Sequence, residues 1–130
     1  MKKTTSRTHG NALHIGVDVE VVQRFEGLDR ISDRAFLNKI YTPRELNFCF
    51  SRKNTAEALA SRFSAKESVL KALHGFNVRI AKLTEIEIKS GTGKSPEVHL
   101  RTPALSRYDV KISISHSKLV VVTAALAKKI

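Results

Sequence analysis

Alternating apolar and polar residues predict a β-strand close to the start of the chain. Apolar side chains occupy every second position from Ile15 to Val21, and Gly16, Asp18 and Glu20 lie between them. Successive side chains of a strand point to opposite faces. We therefore expect the branched apolar residues to cover the core and both carboxylates to lie on the opposite face.

Apolar residues at helical spacing predict a long central helix from Ala56 to His74. They recur at intervals of three or four residues, and they are Ala56, Leu59, Ala60, Phe63, Leu70 and Leu73. Glu67 comes four residues after Phe63 and three residues before Leu70. Its carboxylate is therefore expected to point into the apolar side of this helix.

The segment before this helix predicts shorter helical elements. Residues 21–40 read as one or two helical pieces that are broken near Gly27. The run Thr42-Pro43-Arg44-Glu45 combines an N-cap residue, a proline at the first helical position and an acid at the third. This combination predicts a capping box that starts a short helix ending near Phe50.

The second half of the chain predicts strands at residues 85–89, 97–101, 110–114 and 119–126, most of them strongly alternating. A helical half followed by a run of hairpins indicates an α+β fold, with an antiparallel sheet packed on the long central helix. With 130 residues and 42% hydrophobic content, the chain can bury one ordinary core. We expect a flexible basic tail at residues 1–12 and a single domain at residues 13–130.

Three carboxylates fall within the predicted strand and the central helix, namely Asp18, Glu20 and Glu67. A buried carboxylate is unfavourable unless a positive charge neutralises it, and Mg²⁺ prefers oxygen ligands. One interpretation is that the three carboxylates meet around Mg²⁺. The alternative is a solvated strand face carrying Asp18 and Glu20, with Glu67 paired to a nearby basic residue.

Three motifs occur in the order and spacing of a known enzyme family. They are Gly16-Val17-Asp18-Val19-Glu20, the segment from Arg62 to Lys71, and Ile114-Ser115-His116-Ser117. Together they resemble the 4'-phosphopantetheinyl transferase superfamily, especially the short holo-[acyl-carrier-protein] synthases. The resemblance extends over residues 13–126, and its G-x-D and aromatic-x-x-K-E motifs are specific as a pair. The longer enzymes of the family place S-H-S ahead of G-x-D, whereas this chain has the order of a single unit.

The chain departs from the short enzymes at two places. Glu20 completes a G-x-D-x-E motif that resembles the longer class and the transferase domains of fungal fatty acid synthases. Coordination of the metal by two or by three carboxylates is therefore open. Leu73-His74-Gly75-Phe76 replaces the glycine-rich turn that follows the helix in the short enzymes, so contacts made by that turn are not transferred to this chain.

The resemblance implies transfer of the 4'-phosphopantetheine group from coenzyme A to a serine of an apo acyl carrier protein, with release of 3',5'-ADP. It implies a Mg²⁺ ion held by Asp18 and Glu67. In the arrangement of the longer class, Glu20 would be a third ligand. By the same resemblance, Glu67 or a water on the metal is expected to take the serine proton, and Lys71 is expected to steady or protonate the leaving phosphate. The structural alternative for Lys71 is an ion pair with Glu67 one helical turn earlier.

The resemblance also implies binding sites for both substrates. Six residues are expected to bind coenzyme A, namely Arg52, Lys53, Arg62, Lys66, His116 and Ser117. Arg24 lies six residues after Asp18 and matches an arginine that contacts an acidic helix of the carrier. Because the short enzymes place their active sites between subunits, the resemblance further implies a homotrimer.

The formal net charge of +11 indicates an anionic partner without identifying it. Coenzyme A and an acidic carrier account for this charge, and so does nucleic acid. However, only 6% of the residues are aromatic, and no recognition-helix, RNP or zinc-knuckle motif is present. Nucleic acid is therefore the less favoured partner, and a basic nucleic-acid-binding module is kept as an alternative function.

Two other motifs carry weaker signals. Gly91-Thr92-Gly93-Lys94-Ser95 looks like the end of a P-loop, but Ile88 occupies the position of its first glycine and Pro96 follows. Glu87-Ile88-Lys89 together with Asp18 resembles the arrangement of Mg²⁺-dependent nucleases. Its structural alternative is an alternating strand whose solvated positions include Glu87.

The remaining sequence features concern the cellular location of the protein. Cys49 is the only cysteine, which excludes an internal disulfide, and it lies in the apolar run 46–50. Residues 1–11 are polar and basic without an apolar stretch, so we expect neither a signal peptide nor a membrane span. These features favour a cytoplasmic protein.

Overall fold

The structure is a computed structural model that describes residues 12–90 and 95–130. The described residues form an α+β fold, which confirms the predicted fold class. Its elements in chain order are β1 (Leu13–Val21), α1 (Arg34–Ile40), α2 (Pro43–Ser51), α3 (Thr55–His74), β2 (Ile86–Lys89), β3 (Glu97–Leu100), β4 (Tyr108–His116) and β5 (Val120–Lys129).

The strands form two antiparallel sheets, whereas the sequence predicted one. In the larger sheet β5 lies between β1 and β4, and β2 pairs with β3 in a separate hairpin. A 3-10 turn that begins at Pro103 lies between β3 and β4. The long helix α3 packs against both β1 and β5, so it lies across the larger sheet as predicted.

The helix starts follow from local capping. The Oγ1 atom of Thr42 accepts a hydrogen bond from the backbone N–H of Glu45 at 3.3 Å, and the Glu45 carboxylate accepts one from the backbone N–H of Thr42 at 2.9 Å. This capping box, with Pro43 at the first helical position, confirms the predicted start of α2. At the start of α3, the side chain of Asn54 accepts from the backbone N–H of Glu57 at 3.1 Å.

Gly16 allows β1 to lie unusually close to α3. A Cβ atom at this position would lie 2.0 Å from the backbone oxygen of Ser68 and 2.7 Å from the backbone nitrogen of Ala72. Both are backbone atoms of a packed helix and cannot move aside easily. The glycine of the G-x-D motif is therefore needed for packing, and it brings the next residues of β1 against the helix.

The two faces of β1 are reversed relative to the prediction. Gly16, Asp18 and Glu20 lie on the buried side against α3, and the apolar residues lie on the exposed side. Ile15 is 68% exposed and Val19 is 57% exposed. The close approach of α3 leaves room only for small or short side chains on the helix side, so the branched residues lie on the other face.

The core surrounds α3 in two clusters. One cluster includes Tyr41, Cys49 and Leu59 and fills the space between α1, α2 and the first half of α3. The other includes Val69 and Ile86 and joins the second half of α3 to β2 and the larger sheet. Cys49 is completely buried, as its apolar sequence context predicts. None of the helices in the described part of the chain has the length and apolar character needed to cross a membrane.

Candidate active site

The three predicted carboxylates lie in the same region, where β1 crosses α3. Asp18 is 9% exposed and Glu20 is 7% exposed, and both point toward the helix from β1. Glu67 lies on α3 and is partly buried. It does not point into the apolar core as expected, because the fully buried side of α3 contains Ala65 and Val69 instead. This orientation places Glu67 at the edge of the helix, near the strand carboxylates.

Mutual repulsion and burial perturb the acids in this cluster. Burial, the hydrogen bond and negative charge of Asp18, and a smaller effect of Glu67 together raise the pKa of Glu20 from 4.5 to about 7. The positive charge of Arg24 opposes this rise. Burial also raises the pKa of Glu67, and the charge of Asp18 acts in the same direction. A cluster of this kind favours a bound cation, which would relieve the repulsion.

Two basic side chains partly neutralise the cluster. The Nζ atom of Lys71 lies 3.3 Å from Oδ1 of Asp18 and donates to the backbone oxygen of Val17 at 2.9 Å. Arg24 forms an ion pair with the carboxylate of Glu20. Lys71 therefore pairs with the strand rather than with Glu67, the partner that the structural alternative predicted.

The donor set is chemically suited to Mg²⁺, although the carboxylates are not arranged around one point. Within residues 12–90 and 95–130, no three Asp, Glu, His or Cys side chains are close enough to share an ion. However, Oδ2 of Asp18 is buried and has no hydrogen-bond partner. A buried oxygen without a partner is unfavourable. Hard oxygen donors with one unsatisfied atom fit a Mg²⁺ ion.

A basic pocket lies beside the first half of α3 and has a volume of about 290 Å³. Four residues predicted to bind coenzyme A line it, although they come from three parts of the chain: Arg52, Lys53, Arg62 and His116. An adjoining cavity of about 350 Å³ shares Arg52, Arg62 and His116 with this pocket. The structure therefore brings together basic residues that are separated by up to 64 positions, from Arg52 to His116.

Arg62 is held rigidly in this pocket. Its guanidinium lies 4.0 Å from the centre of the Phe48 ring, and its NH2 atom donates to Oγ of Ser90 at 2.8 Å. Its Nε atom is buried without a partner, and burial lowers the pKa of Arg62. An anion in the pocket would satisfy this donor and stabilise the buried charge.

Ser117 follows His116 in the turn between β4 and β5. Its Oγ atom accepts hydrogen bonds from the backbone N–H groups of Leu119 at 3.1 Å and Val120 at 3.2 Å. Because these bonds hold the turn, Ser117 fixes the position of His116 at the end of β4. Its predicted contact with coenzyme A remains a prediction.

Lys66 does not reach the pocket, so its predicted contact with coenzyme phosphates is wrong. Its side chain is 0% exposed, and its Nζ atom lies 2.6 Å from the carboxylate of Glu45. The same atom donates to the backbone oxygens of Ile40 and Leu83 at 2.6 and 3.2 Å. Successive residues of a helix point about 100° apart, and this rotation turns Lys66 toward α2. Lys66 therefore stabilises the packing of α2 on α3.

The buried network around Glu45 also bears on the nuclease interpretation. Glu87 is 8% exposed, and its carboxylate accepts a hydrogen bond from Oγ1 of Thr42 at 2.6 Å. The expectation that Glu87 is a solvated strand residue is therefore wrong, and its burial also removes it from any surface metal site with Asp18. Four residues of the P-loop-like run, 91–94, lie outside the described residues.

The sequence reasoning missed several residues of the basic pocket and of the cavity that adjoins it. Phe48 supports both Arg52 and Arg62 with its ring, at 5.2 and 4.0 Å, and Ser90 bonds Arg62 from the end of β2. Glu57 contacts His116, with 2.7 Å between its Oε2 atom and Nδ1 of the histidine. The position of Glu57 on the same helix as Arg62 is a weak sequence indication that it belongs to the pocket. Nothing in the sequence indicates a role for Ser90.

The fold and the site, with a basic pocket and a carboxylate cluster along one helix, define a phosphate-handling enzyme. Residues 14–124 match the family model of the 4'-phosphopantetheinyl transferase superfamily. The chain therefore belongs to this superfamily, which confirms the resemblance stated above and the predicted enzyme class.

Among related proteins, the chain is 37% identical to the holo-[acyl-carrier-protein] synthase of Chlorobaculum parvum, over 89% of this chain and 98% of that protein. It is 36% identical to the synthase of Aquifex aeolicus over 88% of this chain and 98% of that protein. It is also 37% identical to fatty acid synthase subunit alpha of Schizosaccharomyces pombe, over 97% of this chain but 7% of that protein.

Solved structures of the same class share the fold. The chain superposes on holo-[acyl-carrier-protein] synthase from Neisseria meningitidis with a TM-score of 0.74 at 31% identity, covering 89% of this chain and 98% of that chain. For the Bacillus anthracis synthase in complex with CoA (3',5'-ADP), the TM-score is 0.72 at 28% identity, covering 92% of this chain and 100% of that chain.

Proposed function

We propose that the protein transfers the 4'-phosphopantetheine group of coenzyme A to a serine hydroxyl of an apo acyl carrier protein and releases 3',5'-ADP. The family and the relatives named as holo-[acyl-carrier-protein] synthases support this reaction. In this proposal Mg²⁺ is the cofactor, the carrier is an acidic acyl carrier protein of fatty acid biosynthesis, and the enzyme acts as a homotrimer in the cytoplasm.

The observation that carries the proposal is the arrangement of two sites along α3. Glu57 borders the basic pocket, and Glu67 borders the carboxylate cluster. Along α3, intervals of four and three residues separate Glu57, Ser61 and Ser64. This spacing places them on the same side of the helix, next to Glu67 and Lys71. At a rise of 1.5 Å per residue, the two sites lie about 15 Å apart. An extended ligand with phosphates at one end and a reactive phosphate further along suits this spacing.

Asp18 and Glu67 are the residues that would hold Mg²⁺, with Glu20 as the third ligand. Bound there, the ion would neutralise pyrophosphate charge as the reaction proceeds. Lys71 supplies a positive charge from the protein itself, because its half-exposed Nζ atom lies against Asp18. In this position it can bind an oxygen of the leaving phosphate and donate a proton to it.

Glu67 is the proposed proton acceptor for the carrier serine. The bond that forms joins the serine oxygen to the phosphorus of the phosphopantetheine group, and the bond that breaks releases 3',5'-ADP. The serine proton passes to Glu67 or to a water beside it.

The basic pocket is the proposed site for the coenzyme phosphates. Arg52 and Lys53 reach it from the segment between α2 and α3, Arg62 from α3 and His116 from β4. Arg24, with a side chain that is 62% exposed beside the carboxylate cluster, is the proposed contact for an acidic helix of the carrier. Its position beside Glu20 would bring the docked carrier close to the carboxylates.

The exposed apolar face of the larger sheet supports self-association. Ile15, Val17 and Val19 on β1 are between 53% and 68% exposed, and the neighbouring Val122 and Leu126 on β5 are each 41% exposed. The strand register places Ile15 beside Leu126 and Val19 beside Val122, so these side chains form one continuous patch. A patch of this kind typically marks an interface between proteins, and the proposed occupants are the other subunits of a trimer.

The buried, unpaired thiol of Cys49 agrees with a reducing cytoplasm.

Intact mass spectrometry tests the reaction directly. The purified protein is incubated with coenzyme A, MgCl₂ and an apo acyl carrier protein, and the mass of the carrier is followed. We expect the carrier to gain one phosphopantetheine group, only when both coenzyme A and the metal are present. An unchanged carrier mass, or Mg²⁺-dependent cleavage of plasmid DNA in its place, would contradict the proposed function.

A further inference from the structure

The basic pocket contains a carboxylate that an anion-binding site does not need. Among its described lining residues, Glu57 is the one acid beside Arg52, Lys53 and Arg62. A negative charge in this position repels the phosphates that the cations attract. Its presence therefore needs a physical reason within the pocket.

The contact between Glu57 and His116 supplies that reason. Oε2 of Glu57 lies 2.7 Å from Nδ1 of His116, and the two side chains are 24% and 50% exposed. When the imidazole is protonated, the two side chains form an ion pair through Nδ1. This contact fixes the orientation of the imidazolium ring and leaves its second donor, Nε2–H, available for other partners.

Both members of this pair are held firmly by the backbone. Glu57 is the third residue of α3, and its N–H group donates to the capping side chain of Asn54 at 3.1 Å. His116 is the last residue of β4, and the turn that follows is fixed by Ser117. The pair therefore links the start of α3 to the turn between β4 and β5, on opposite sides of the pocket.

We propose that Glu57 is a positioning residue for coenzyme A binding, which it promotes by pairing with Nδ1 of the His116 imidazolium so that Nε2–H donates a hydrogen bond to a coenzyme phosphate. This inference rests on the proposed function, since it takes the basic pocket as the site of the coenzyme phosphates. Glu57 itself contacts the histidine and not the ligand. The histidine, together with Arg52, Lys53 and Arg62, presents positive charge to the phosphates.

The test measures the dissociation constant for coenzyme A by calorimetry in the 130-residue protein. Glu57→Ala removes the acceptor and is expected to weaken binding about tenfold, the loss typical of a charge-assisted hydrogen bond. Glu57→Gln keeps an acceptor oxygen and the size of the side chain, and it is expected to weaken binding by about threefold. Asp109→Asn, which changes a surface carboxylate on the same strand as His116, is the matched control and leaves binding unchanged.

A double-mutant cycle separates positioning from a merely structural role. In the His116→Ala background, Glu57→Ala is expected to have no further effect on coenzyme binding, because the residue through which it acts is absent. The Michaelis constant for the carrier stays within twofold of wild type in every variant. In the wild type, imidazole ¹⁵N chemical shifts of His116 report a proton on Nδ1, and this signature changes in Glu57→Ala.

The experiments distinguish failure of the positioning role from failure of the proposed reaction. Unchanged coenzyme binding in Glu57→Ala, or an equal loss in the presence and absence of His116, overturns the positioning role even when carrier modification is normal. Coenzyme binding that depends on Glu57 and His116 as expected, in a protein that never modifies the carrier, supports the positioning role and contradicts the proposed reaction.

Discussion

Replacing Glu20 with glutamine tests the carboxylate cluster through its effect on stability. In the metal-free protein, burial and Asp18 raise the pKa of Glu20 from 4.5 to about 7. Each pKa unit corresponds to about 1.4 kcal/mol, so an ionised Glu20 costs the folded state up to about 3 kcal/mol. This shift already includes the opposing charge of Arg24, so the expected stabilisation by glutamine is about 3 kcal/mol at pH 8.

The sign of the pH dependence follows from the raised pKa. Below pH 4.5 the Glu20 carboxyl is protonated in both the folded and the unfolded chain, and the substitution has little effect. Between pH 4.5 and about 7, the unfolded chain loses this proton while the folded protein retains it, so wild-type stability falls as pH rises. Above pH 7 the full difference is present. The advantage of Glu20→Gln therefore grows between pH 4 and pH 8.

Urea unfolding at pH 4, 6 and 8 measures this difference, in the presence of EDTA and at one fixed protein concentration. Glu26→Gln, which changes an exposed carboxylate shortly after β1, is the control and shows no such trend. Adding MgCl₂ is expected to stabilise the wild type more than Glu20→Gln, because a bound ligand stabilises the folded state that holds it. A variant that is less stable than wild type at pH 8, or a difference that does not depend on pH, would refute the reasoning.

Three further predictions concern activity and assembly. Asp18→Ala and Glu67→Ala each abolish carrier modification, measured by intact mass spectrometry, because each removes a proposed metal ligand. The circular dichroism spectrum of each variant stays native. Activity near wild type in either variant would exclude the substituted residue as a ligand. Arg24→Glu raises the Michaelis constant for the carrier about tenfold at low salt and less at high salt. His116→Ala raises only the Michaelis constant for coenzyme A. Equal effects of either variant on both substrates would contradict the assignment of Arg24 to carrier docking and of His116 to coenzyme binding. Val19→Asp converts the proposed trimer to monomer in sedimentation experiments, because it places a charge within an apolar interface; an unchanged sedimentation coefficient would argue against this face as the interface.

The sequence alone predicted the family, the fold class and most of the elements. The capping residues Thr42 and Glu45 set the start of α2 through contacts three residues apart, and such local contacts can be inferred from sequence. The helical spacing of α3 and the alternation of β2, β3 and β4 were visible for the same reason. The residues of the basic pocket were selected through family motifs, because neither their spacing nor their charge shows that they converge.

The tertiary structure decided which face of each element is buried. Alternation shows that β1 has two faces, but it does not show which one meets α3, and the close approach at Gly16 placed Asp18 and Glu20 on the helix side. Lys66 and Glu67 are adjacent in the sequence, yet the rotation of α3 buries the lysine against Glu45 and leaves the glutamate at the carboxylate cluster. Contacts between distant segments, such as Glu57 with His116, depend on how whole elements pack. Local patterns therefore fix the elements of this protein, and the packing of those elements forms its site.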